Sequence, residues 1–441
     1  MLEQKPHVHF VGAGGIGMSA LALLLTQLGH TVSGSDLKAS GQTRKLQEAG
    51  AQIFIGPHRL QNLQNAGLVV VSSAIAPDNP EVLEAKRKRI PVIHRSDLLA
   101  ELMQGKKGIA IAGSHGKTTT TAMIAMLLID TGFDPTCLVG GVVMQLARNA
   151  RLGQSQYLIA ETDESDRSFL KLQPEMVVMT NIDLEHMVSY RSEADLIAAF
   201  EQFAKKVDPS RCVLCKEDPR VRQILPGLGG SPITYGFQQH AQLVSEGIVH
   251  RFGSSSFRVL REGRFWGQIQ LNVSGIHNVL NSLAVIGISI LLGIPSDKTI
   301  LSLARFRGVA RRLEKKGSAG GVDFYDDYGH HPTEIRATLA ATRESGRRVI
   351  VIFQPHRYTR IRDSFEGFTR CFEDADLLFV LDIYSAGEPR LEGISSERLA
   401  QEITRAGHPA ARFVAGHAVI GEVCNILRQG DLVLTIGAGD V

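Results

Sequence analysis

The feature that most constrains the fold of this chain is a pattern that recurs along it: a short apolar run, a glycine-rich turn and an amphipathic stretch. The 44 glycines among 441 residues supply the turns. Nearly continuous apolar runs are typical of parallel strands that helices cover on both faces, so the pattern predicts an α/β protein. The predicted strands include Val8–Val11, Leu68–Ser72, Gly108–Ala112, Tyr157–Ala160, Met176–Thr180, Val349–Phe353, Leu377–Leu381 and Leu432–Ile436.

The length of the chain and two polar segments predict its domain organisation. At about 150 residues per domain, the length predicts about three domains. Polar residues at Gln104–Gly108 and Glu314–Gly321 predict the hinges between them. Between about Ser245 and Val273, apolar and polar residues alternate, which predicts antiparallel hairpins inside the middle domain. The predicted domains span residues 1–105, 106–314 and 315–441.

Charge and apolar composition exclude several classes of protein. The 48 Lys and Arg residues nearly balance 45 Asp and Glu residues, so bulk charge does not favour nucleic-acid binding. The longest apolar runs, Met18–Leu25 and Ala284–Ile294, are short of the roughly 20 residues that a membrane span needs. The first residues lack the apolar core of a signal peptide. We therefore expect a cytoplasmic protein without a membrane or nucleic-acid partner.

The five cysteines predict no disulfide framework. Cys212 and Cys215 have the C-x-x-C spacing of redox dithiols and zinc knuckles, but the chain has no second pair of this kind. The apolar residues between them predict a strand, on which the two sulfurs would face opposite sides. We therefore expect ordinary strand residues here and no metal site.

The first chemical motif, G-A-G-G-I-G at Gly12–Gly17, follows the predicted strand Val8–Val11 and precedes a helix predicted from Met18. It fits the dinucleotide-binding pattern, and Asp36 stands at the end of the next strand. The glycines let backbone N–H groups approach a diphosphate at a helix N-terminus. Three interpretations stay open: a dinucleotide with Asp36 on its ribose, another nucleotide diphosphate such as a UDP-sugar, and a purely structural turn.

The second motif, G-S-H-G-K-T at Gly113–Thr118, lies between the predicted strand Gly108–Ala112 and a helix predicted from near Thr119. It ends like a phosphate-binding P-loop, although the first glycine of the full pattern is absent. Lys117 can reach the β- and γ-phosphates of a nucleotide, and Thr118 can place its hydroxyl on Mg²⁺. The motif therefore predicts ATP binding.

Acidic residues follow two further predicted strands of the middle domain. Glu161 directly follows one of them, and Asp183, Glu185 and His186 follow the next. Because the carboxyl ends of parallel strands line one crevice, we expect these side chains to converge beside the phosphate loop. Oxygen ligands suit magnesium, so the coincidence predicts a metal site, whereas any one of these acids alone would be interpreted as a solvated loop residue.

Two clusters in the third domain predict an anion site. D-D-Y-G-H-H-P at Asp326–Pro332 follows a short predicted strand, and Q-P-H-R-Y-T-R occupies Gln354–Arg360. Arg311 and Arg312 lie just before the second hinge. Guanidinium groups suit carboxylates and phosphates, so we expect these loops to hold an anionic substrate against ATP.

Eight short motifs occur in order along essentially the whole chain: G-G-I-G-M-S, V-S-G-S-D, S-S-A-I, G-S-H-G-K-T-T-T-T, E-T-D-E-S-D, G-I-H-N-V-L-N, D-D-Y-G-H-H-P-T-E and Q-P-H-R-Y-T-R. This combination resembles the Mur ligase family, which shares its shortened P-loop with folylpolyglutamate synthetases. The resemblance implies an α/β protein of three domains. They are a Rossmann-like N-terminal domain for a UDP-sugar, a central P-loop ATPase domain and a Rossmann-like C-terminal domain.

The resemblance implies ATP-dependent amide formation, with ATP and Mg²⁺, in cytoplasmic peptidoglycan precursor synthesis. The lactyl carboxylate of UDP-N-acetylmuramate would attack the γ-phosphate, and L-alanine would then displace phosphate from the acyl phosphate. The alternative within the family is a recycling ligase that attaches a whole tripeptide. Outside the family, an oxidoreductase rests on the first glycine motif and Asp36 alone, and a non-catalytic nucleotide-binding regulator is the other alternative.

The resemblance also implies roles for residues at matching positions. It implies catalytic roles for Lys117, His186, Arg312 and His330, and metal binding by Thr118, Glu161 and His186. ATP would contact Gly113, Ser114, His115, Gly116, Lys117, Thr118, Thr119, His277, Asn278, Asn281, Arg312 and Asp327. The UDP-sugar would contact Gly14, Gly15, Ile16, Gly17, Asp36, Ser73 and Ala74. The amino acid would contact Tyr328, His330, Arg357 and Arg360. Asn278 lies at a predicted helix start, where helix capping is its alternative role.

Two segments depart from the family pattern. Asn181–His186 reads N-I-D-L-E-H, where many relatives have a Pro and an Asp before the His, and Glu185 keeps the acid. The sequence stops at Gly437–Val441, where the family usually continues into a last helix. We therefore expect either that the sequence is cut short there or that the natural chain is joined to another segment.

Overall fold

The computed structural model describes residues 2, 6–185, 187–238 and 240–441. The chain separates into two compact units. The first unit comprises residues 1–246, 258–267 and 280–303, and the second comprises residues 247–257, 268–279 and 304–441. Within the described residues, we find no helix that is both apolar enough and long enough to cross a bilayer.

Five strands form the N-terminal sheet: β1 Val8–Val11, β2 Val32–Asp36, β3 Gln52–Ile55, β4 Leu68–Val71 and β5 Val92–His94. They lie in the order β3-β2-β1-β4-β5, and each neighbouring pair is parallel. The helices of this part are α1 Ile16–Gln27, α2 Gly41–Glu48, α3 Pro80–Arg87 and α4 Arg95–Met103. Val8 and Val70 belong to one apolar cluster, and Val11 and Val69 to another on the opposite face. Burial of both faces explains the continuous apolar runs.

Ten strands form the second sheet: β6 Lys107–Ala112, β7 Thr136–Val143, β8 Arg148–Arg151, β9 Tyr157–Glu161, β10 Met176–Met179, β11 Cys212–Cys215, β12 Ile233–Gly236, β13 Leu243–Arg251, β14 Ser254–Arg261 and β15 Arg264–Leu271. Their order is β15-β14-β13-β12-β11-β10-β6-β9-β7-β8. The helices are α5 Lys117–Asp130, α6 Glu193–Ala204, α7 Pro219–Leu228, α8 Ile276–Leu291 and α9 Ser296–Arg305. The phosphate-loop strand β6 is central and parallel to both neighbours.

Six strands form the third sheet: β16 Glu314–Ala319, β17 Val322–Asp327, β18 Val349–Phe353, β19 Leu377–Val380, β20 Ala411–Phe413 and β21 Leu432–Ile436. Their order is β16-β17-β21-β18-β19-β20, and only β16 pairs antiparallel. The helices are α10 Pro332–Arg343, α11 Tyr358–Asp363, α12 Phe365–Thr369, α13 Ser396–Arg405 and α14 Val419–Cys424. Short 3₁₀ turns occupy Leu60–Leu63, Ser168–Lys171, Met187–Ser189 and Pro209–Arg211.

The structure confirms the eight predicted strands, with ends that differ by at most one residue. The predicted hairpins are also confirmed, because short turns with Gly253 and Gly263 at positive φ join β13 to β14 and β14 to β15.

Cys212 and Cys215 lie on buried strand β11. Burial raises the pKa of the Cys212 thiol to about 12 and that of Cys215 to about 11, so both remain thiols.

Three details differ from the sequence predictions. The polar segment Glu314–Gly321 forms edge strand β16 and a turn rather than an irregular hinge. An edge strand pairs on one side only and tolerates exposed charged side chains, so its sequence resembles a linker. Helix α1 begins at Ile16 and α5 at Lys117, each slightly before the predicted start, because apolar periodicity appears only after the first turn.

Candidate active site

The first glycine turn is held by the end of the neighbouring strand β2. The backbone N–H groups of Gly12 and Ala13 donate to the Ser35 carbonyl at 2.8 and 2.9 Å. The N–H of Gly14 donates to Asp36 Oδ2 at 2.8 Å. The structure therefore places Asp36 at the turn, where the sequence motif predicts an acidic residue.

Two glycines of this turn lie close to side chains of neighbouring elements. A Cβ atom at Gly14 would lie 2.8 Å from Asp36 Oδ2, and one at Gly17 would lie 3.3 Å from an Arg95 guanidinium nitrogen. Arg95 is the first residue of α4 and forms an ion pair with Asp163. No sequence motif points to this cation, because only the fold brings the start of α4 to the glycine turn.

A buried carboxylate lies behind the same turn. Glu81, fully buried on α3, accepts hydrogen bonds from Ser35 Oγ and Asn62 Nδ2, both at 2.6 Å, and lies 3.1 Å from His9 Nε2. Burial alone would raise the pKa of Glu81, but the hydrogen bonds from His9, Ser35 and Asn62 outweigh it and lower the pKa to about 2. The carbonyl of Ser35 therefore bonds the glycine turn, and its hydroxyl bonds the ionised carboxylate of Glu81.

The second glycine turn connects β6 to α5. Gly113 and Gly116 have φ values of +134° and +79°, which side chains other than hydrogen rarely allow. A Cβ atom at Gly113 would overlap Thr180 Oγ1, and one at Gly116 would lie 2.6 Å from Asn281 Oδ1. The loop thus lies against the end of β10, and Asn281 of α8 contacts it.

Lys117 points back into this loop. Its ammonium donates to the carbonyls of Gly113 and Ser114, the second at 2.9 Å, and to Glu164 Oε1 at 2.8 Å. Burial lowers the pKa of Lys117, but the charges of Glu164, Glu161 and Asp163 outweigh burial and raise it. The ammonium therefore stays charged inside the loop. Burial raises the pKa of Glu164 despite its pairing with Lys117.

The structure brings together two of the three predicted metal ligands. Thr118 Oγ1 donates to Glu161 Oε2 at 2.8 Å. A side chain at position 140 would overlap the Glu161 carboxylate. Gly140 on β7 therefore leaves the space that this carboxylate occupies. Hydroxyl and carboxylate oxygens are the ligands that Mg²⁺ prefers, and the pair fits that ion. The third predicted ligand, His186, lies outside the described residues.

The acids after β10 contact the phosphate loop through His115. His115 Nε2 lies 3.0 Å from Asp183 Oδ2 and 3.2 Å from Glu185 Oε1. The His115 backbone N–H donates to Asn181 Oδ1 at 2.8 Å. The carboxyl ends of β6, β9 and β10 therefore converge here, as the sequence predicts.

The segment after β9 also contacts the N-terminal part of the first unit. Asp163 pairs with Arg95. Asp166 Oδ2 accepts a hydrogen bond from Ser73 Oγ at 2.6 Å and lies 3.5 Å from His94 Nε2. Ser73 is a predicted UDP-sugar residue, so one acidic segment touches residues predicted for both nucleotides. The neighbouring predicted residue, Ala74, is exposed.

Three of the residues predicted to contact ATP, His277, Asn278 and Asn281, lie in the first turns of α8. Asn278 Nδ2 donates to the Ser274 carbonyl at 2.7 Å, and α8 begins at Ile276. Asn278 therefore lies inside the first turn of α8, and its side chain bonds backbone that precedes the helix. Burial lowers the pKa of His277 to about 4, with help from the nearby charge of Arg312. Its imidazole is therefore neutral at pH 7.

In the second unit, Asp327 organises the end of β17. Its carboxylate accepts the backbone N–H groups of Leu313 at 2.7 Å and Gly329 at 2.8 Å. Burial raises the pKa of Asp327, while Arg312 opposes that rise. The Arg312 guanidinium lies 5.5 Å from the Tyr328 ring centre and 3.7 Å from Glu334. Arg312, Asp327 and Tyr328 are therefore neighbours.

His330 and Arg360 both lie beside His356. The His330 and His356 rings are 6.2 Å apart, and Arg360 Nη1 lies 2.9 Å from His356 Nδ1. His356 also stacks on Tyr384 with ring centres 5.5 Å apart. Burial lowers the pKa of both histidines to about 3, and Arg360 adds to the effect, so both rings are neutral.

Arg357 follows His356 in the chain and has a φ of +68°. Its backbone N–H donates to the Tyr384 carbonyl at 2.8 Å. Its buried Nε has no hydrogen-bond partner among the described residues. His356 was not among the predicted site residues, although Q-P-H-R-Y-T-R contains it. No sequence signal points to Tyr384, because that residue follows another strand, β19.

Comparison with known proteins places each part of the chain in one family. Residues 7–107 match the profile described as "Mur ligase family, catalytic domain", residues 111–289 match "Mur ligase middle domain", and residues 311–439 match "Mur ligase, glutamate ligase domain". A protein of Sorangium cellulosum named UDP-N-acetylmuramate–L-alanine ligase is 49% identical, over 99% of this chain and 94% of that protein. One of the same name from Geobacter sulfurreducens is 47% identical, over 98% and 95%.

Solved structures agree with these matches. UDP-N-acetylmuramate-alanine ligase MurC from Thermotoga maritima has a TM-score of 0.84 at 30% identity, covering 99% of this chain and 96% of that one. A murein peptide ligase from Psychrobacter arcticus has a TM-score of 0.74 at 24% identity, covering 98% and 96%. The second likeness shows the fold alone.

Proposed function

The chain belongs to the Mur ligase family, and on that premise we propose that it joins L-alanine to UDP-N-acetylmuramate at the expense of ATP. The observation that carries the proposal is full-length identity of 47–49% to proteins named for this reaction. The alternative, attachment of a tripeptide, is not favoured, because the murein peptide ligase is less similar in both sequence and structure.

The reaction has two bond exchanges. An oxygen of the lactyl carboxylate attacks the γ-phosphorus, and the bond to the ADP oxygen breaks. The alanine amine then attacks the acyl carbon, phosphate leaves, and the nitrogen loses its proton. Lys117, charged inside its loop, would stabilise the transferring phosphoryl group. Its charge and position suit that role.

Magnesium would neutralise charge on the phosphates when bound. Thr118 and Glu161 are the residues that we propose to hold it, together with His186 as a prediction from the sequence. Supporting this proposal, the Thr118 hydroxyl and Glu161 carboxylate meet at 2.8 Å. The remaining predicted loop residues would bind the triphosphate through backbone N–H groups: Gly113, Ser114, His115, Gly116 and Thr119.

The first glycine turn is our proposed site for the UDP-sugar. Its backbone N–H groups lie at the N-terminus of α1, which favours a diphosphate. The proposed contacts are Gly14, Gly15, Ile16, Gly17, Asp36, Ser73 and Ala74. Absence of a lysine among the turn's own residues fits a diphosphate that is bound without being transferred.

The remaining predicted residues would contact the nucleotide and the incoming amino acid. We propose nucleotide contacts for His277, Asn278, Asn281, Arg312 and Asp327. Tyr328, His330, Arg357 and Arg360 would surround the amino acid, with an arginine paired to its carboxylate. The neutral state of His330 suits a hydrogen-bond partner of the ammonium or amine. Catalytic roles of Arg312 and His330 are part of the same proposal.

Phosphate release from ATP and Mg²⁺ tests the function. The protein is incubated with UDP-N-acetylmuramate, and L-alanine, glycine, L-serine or the tripeptide is added singly. We expect release that requires both the UDP-sugar and L-alanine. Release that requires the tripeptide instead would establish the recycling alternative, and no release with any acceptor would refute a ligase.

A further inference from the structure

Glu164 is a buried acid of the phosphate site that none of the proposed roles uses. The residue is only 4% exposed. One carboxylate oxygen lies 2.8 Å from Lys117 Nζ, and the other is buried without a hydrogen-bond partner among the described residues. Its backbone carbonyl accepts the Tyr190 hydroxyl at 2.5 Å and the Arg167 N–H at 3.1 Å. The main chain therefore fixes this carboxylate beside Lys117.

The contacts of Lys117 leave it no unused donor. An ammonium has three N–H groups, and these meet the carbonyls of Gly113 and Ser114 and the carboxylate of Glu164. A phosphate oxygen can bond to Lys117 only if it displaces one of them. Of the three, only Glu164 carries a full negative charge, so it is the competitor that resembles a phosphate.

The buried position of Glu164 also strengthens the electrostatic effect of its charge on a bound phosphate. The side chain is enclosed, so water and salt screen it weakly. Glu161 and Asp163 act on the same ammonium, and Lys117 is the cation that faces Glu164. A polyphosphate in the loop would therefore meet both the attraction of Lys117 and the repulsion of a fixed anion behind it.

We propose that Glu164 is a positioning residue that holds Lys117 against the phosphate loop and weakens the loop's affinity for nucleoside polyphosphates. The inference rests on the proposed function, in which this loop binds ATP and must release ADP. Binding energy that ADP and the transition state share does not speed the chemical step. Weaker binding of ADP frees the loop for the next ATP.

Calorimetric titration of Glu164→Gln tests the proposal, because glutamine keeps the acceptor oxygen and the volume but removes the charge. With Mg²⁺ present, we expect affinity for ADP and for a non-hydrolysable ATP analogue to rise about tenfold. AMP lacks the outer phosphates, so its affinity should change less than about twofold. A structural role alone would not produce this dependence on phosphate number.

Glu175→Gln is the matched control. It removes the same charge at the amino end of β10, where Glu175 is 3.5 Å from Arg211 and its N–H donates to the Gly108 carbonyl. Its nucleotide affinities should equal those of the wild type.

If Glu164→Gln does not fold, Glu164→Asp replaces it. The shorter side chain moves the charge away from Lys117 Nζ, so ADP affinity should rise by a smaller factor, again without a change for AMP.

Unchanged or weaker ADP binding in the Glu164 variant overturns the inference, as does an equal change for AMP. In steady-state turnover, inhibition by ADP should strengthen by the same factor as binding. A wild-type protein that binds no ADP and releases no phosphate would refute the proposed function instead. Wild-type turnover with unaltered nucleotide binding in Glu164→Gln would refute only this inference.

Discussion

The two glycine turns of the first unit share a backbone design and differ in the side chains around it. Each follows a central parallel strand, opens a helix and has a buried glutamate behind it. Glu81, behind the first turn, meets neutral or weakly basic donors, which lower its pKa to about 2. Glu164, behind the second, pairs with Lys117, and burial raises its pKa.

This difference shows what the glycine pattern determines and what it leaves to its surroundings. In both turns, glycine allows an approach that a side chain would block, at Gly14 to Asp36 and at Gly113 to Thr180. The pattern thus makes a place for an anion at a helix N-terminus. The second turn adds a lysine of its own helix and a pair of oxygen ligands, which phosphoryl transfer requires.

Replacement of Lys117 should have the largest effect on activity, and it should affect only the second turn. Lys117→Ala removes the buried ammonium, and we expect kcat/KM to fall by about 10³-fold or more. Phosphate release under saturating substrates measures it. Because the first turn keeps its own contacts, affinity for the UDP-sugar should stay within about twofold. An equal loss of UDP-sugar binding would mean that the two turns are not separate sites.

The next largest effect should be that of replacing Glu81, the buried anion behind the first turn, on the pH dependence of the free energy of unfolding. The folded pKa of about 2 lies below the ordinary value of 4.5, so the ionised group stabilises the fold by about 3 kcal/mol above pH 4.5 or so. That contribution is lost as the pH falls from about 4.5 towards 2. Denaturant unfolding of wild type and Glu81→Gln should therefore differ at pH 7 and converge near pH 2.

A constant stability difference between the two proteins from pH 7 to pH 2 would contradict the ionised state of Glu81. Glu84→Gln serves as control, because Glu84 also lies on α3 but pairs, at 2.7 Å, with Arg87, whose side chain is exposed. An ion pair with a solvent-exposed partner contributes little to stability. Its removal should leave most of the pH dependence in place.

Crowding the Glu161 carboxylate should have a smaller effect, confined to the second turn. Gly140→Ala places a methyl group where that carboxylate lies. We expect kcat to fall by about 10- to 100-fold and the Mg²⁺ concentration for half-maximal rate to rise, as for loss of a group that orients a ligand. Gly421→Ala adds a methyl to open space on α14 and should change neither value. Normal Mg²⁺ dependence in Gly140→Ala would remove Glu161 from the proposed metal site.

The sequence predicted the parts of the molecule that depend on local pattern. Strand β18 matches its prediction residue for residue, because burial of both faces leaves an unbroken apolar run. Asp36 was predicted at the first turn because the motif implies an acid at the end of the next strand. Edge strand β16 was missed, since exposed charged residues on an edge look like a linker.

The contacts behind the turns could not be predicted from local sequence. Glu81 meets His9, Ser35 and Asn62, which come from three separate elements. Nothing in the spacing of these residues signals the meeting, and an acid on a helix is ordinarily solvated. The same holds for Arg95 beside Gly17 and for Tyr384 beneath His356. Such partners follow from the packing of sheets and helices.

The most direct test of the account is a crossed measurement of binding at the two turns. Dissociation constants for UDP-N-acetylmuramate and for Mg²⁺ with a non-hydrolysable ATP analogue are measured on wild type, Asp36→Ala and Lys117→Ala. Loss of the Asp36 acceptor should weaken UDP-sugar binding about tenfold and leave the ATP analogue unchanged, since a charge-assisted hydrogen bond is worth roughly 1.5–3 kcal/mol. Lys117→Ala should do the reverse. If either variant weakens both ligands equally, the division of labour between the turns is wrong.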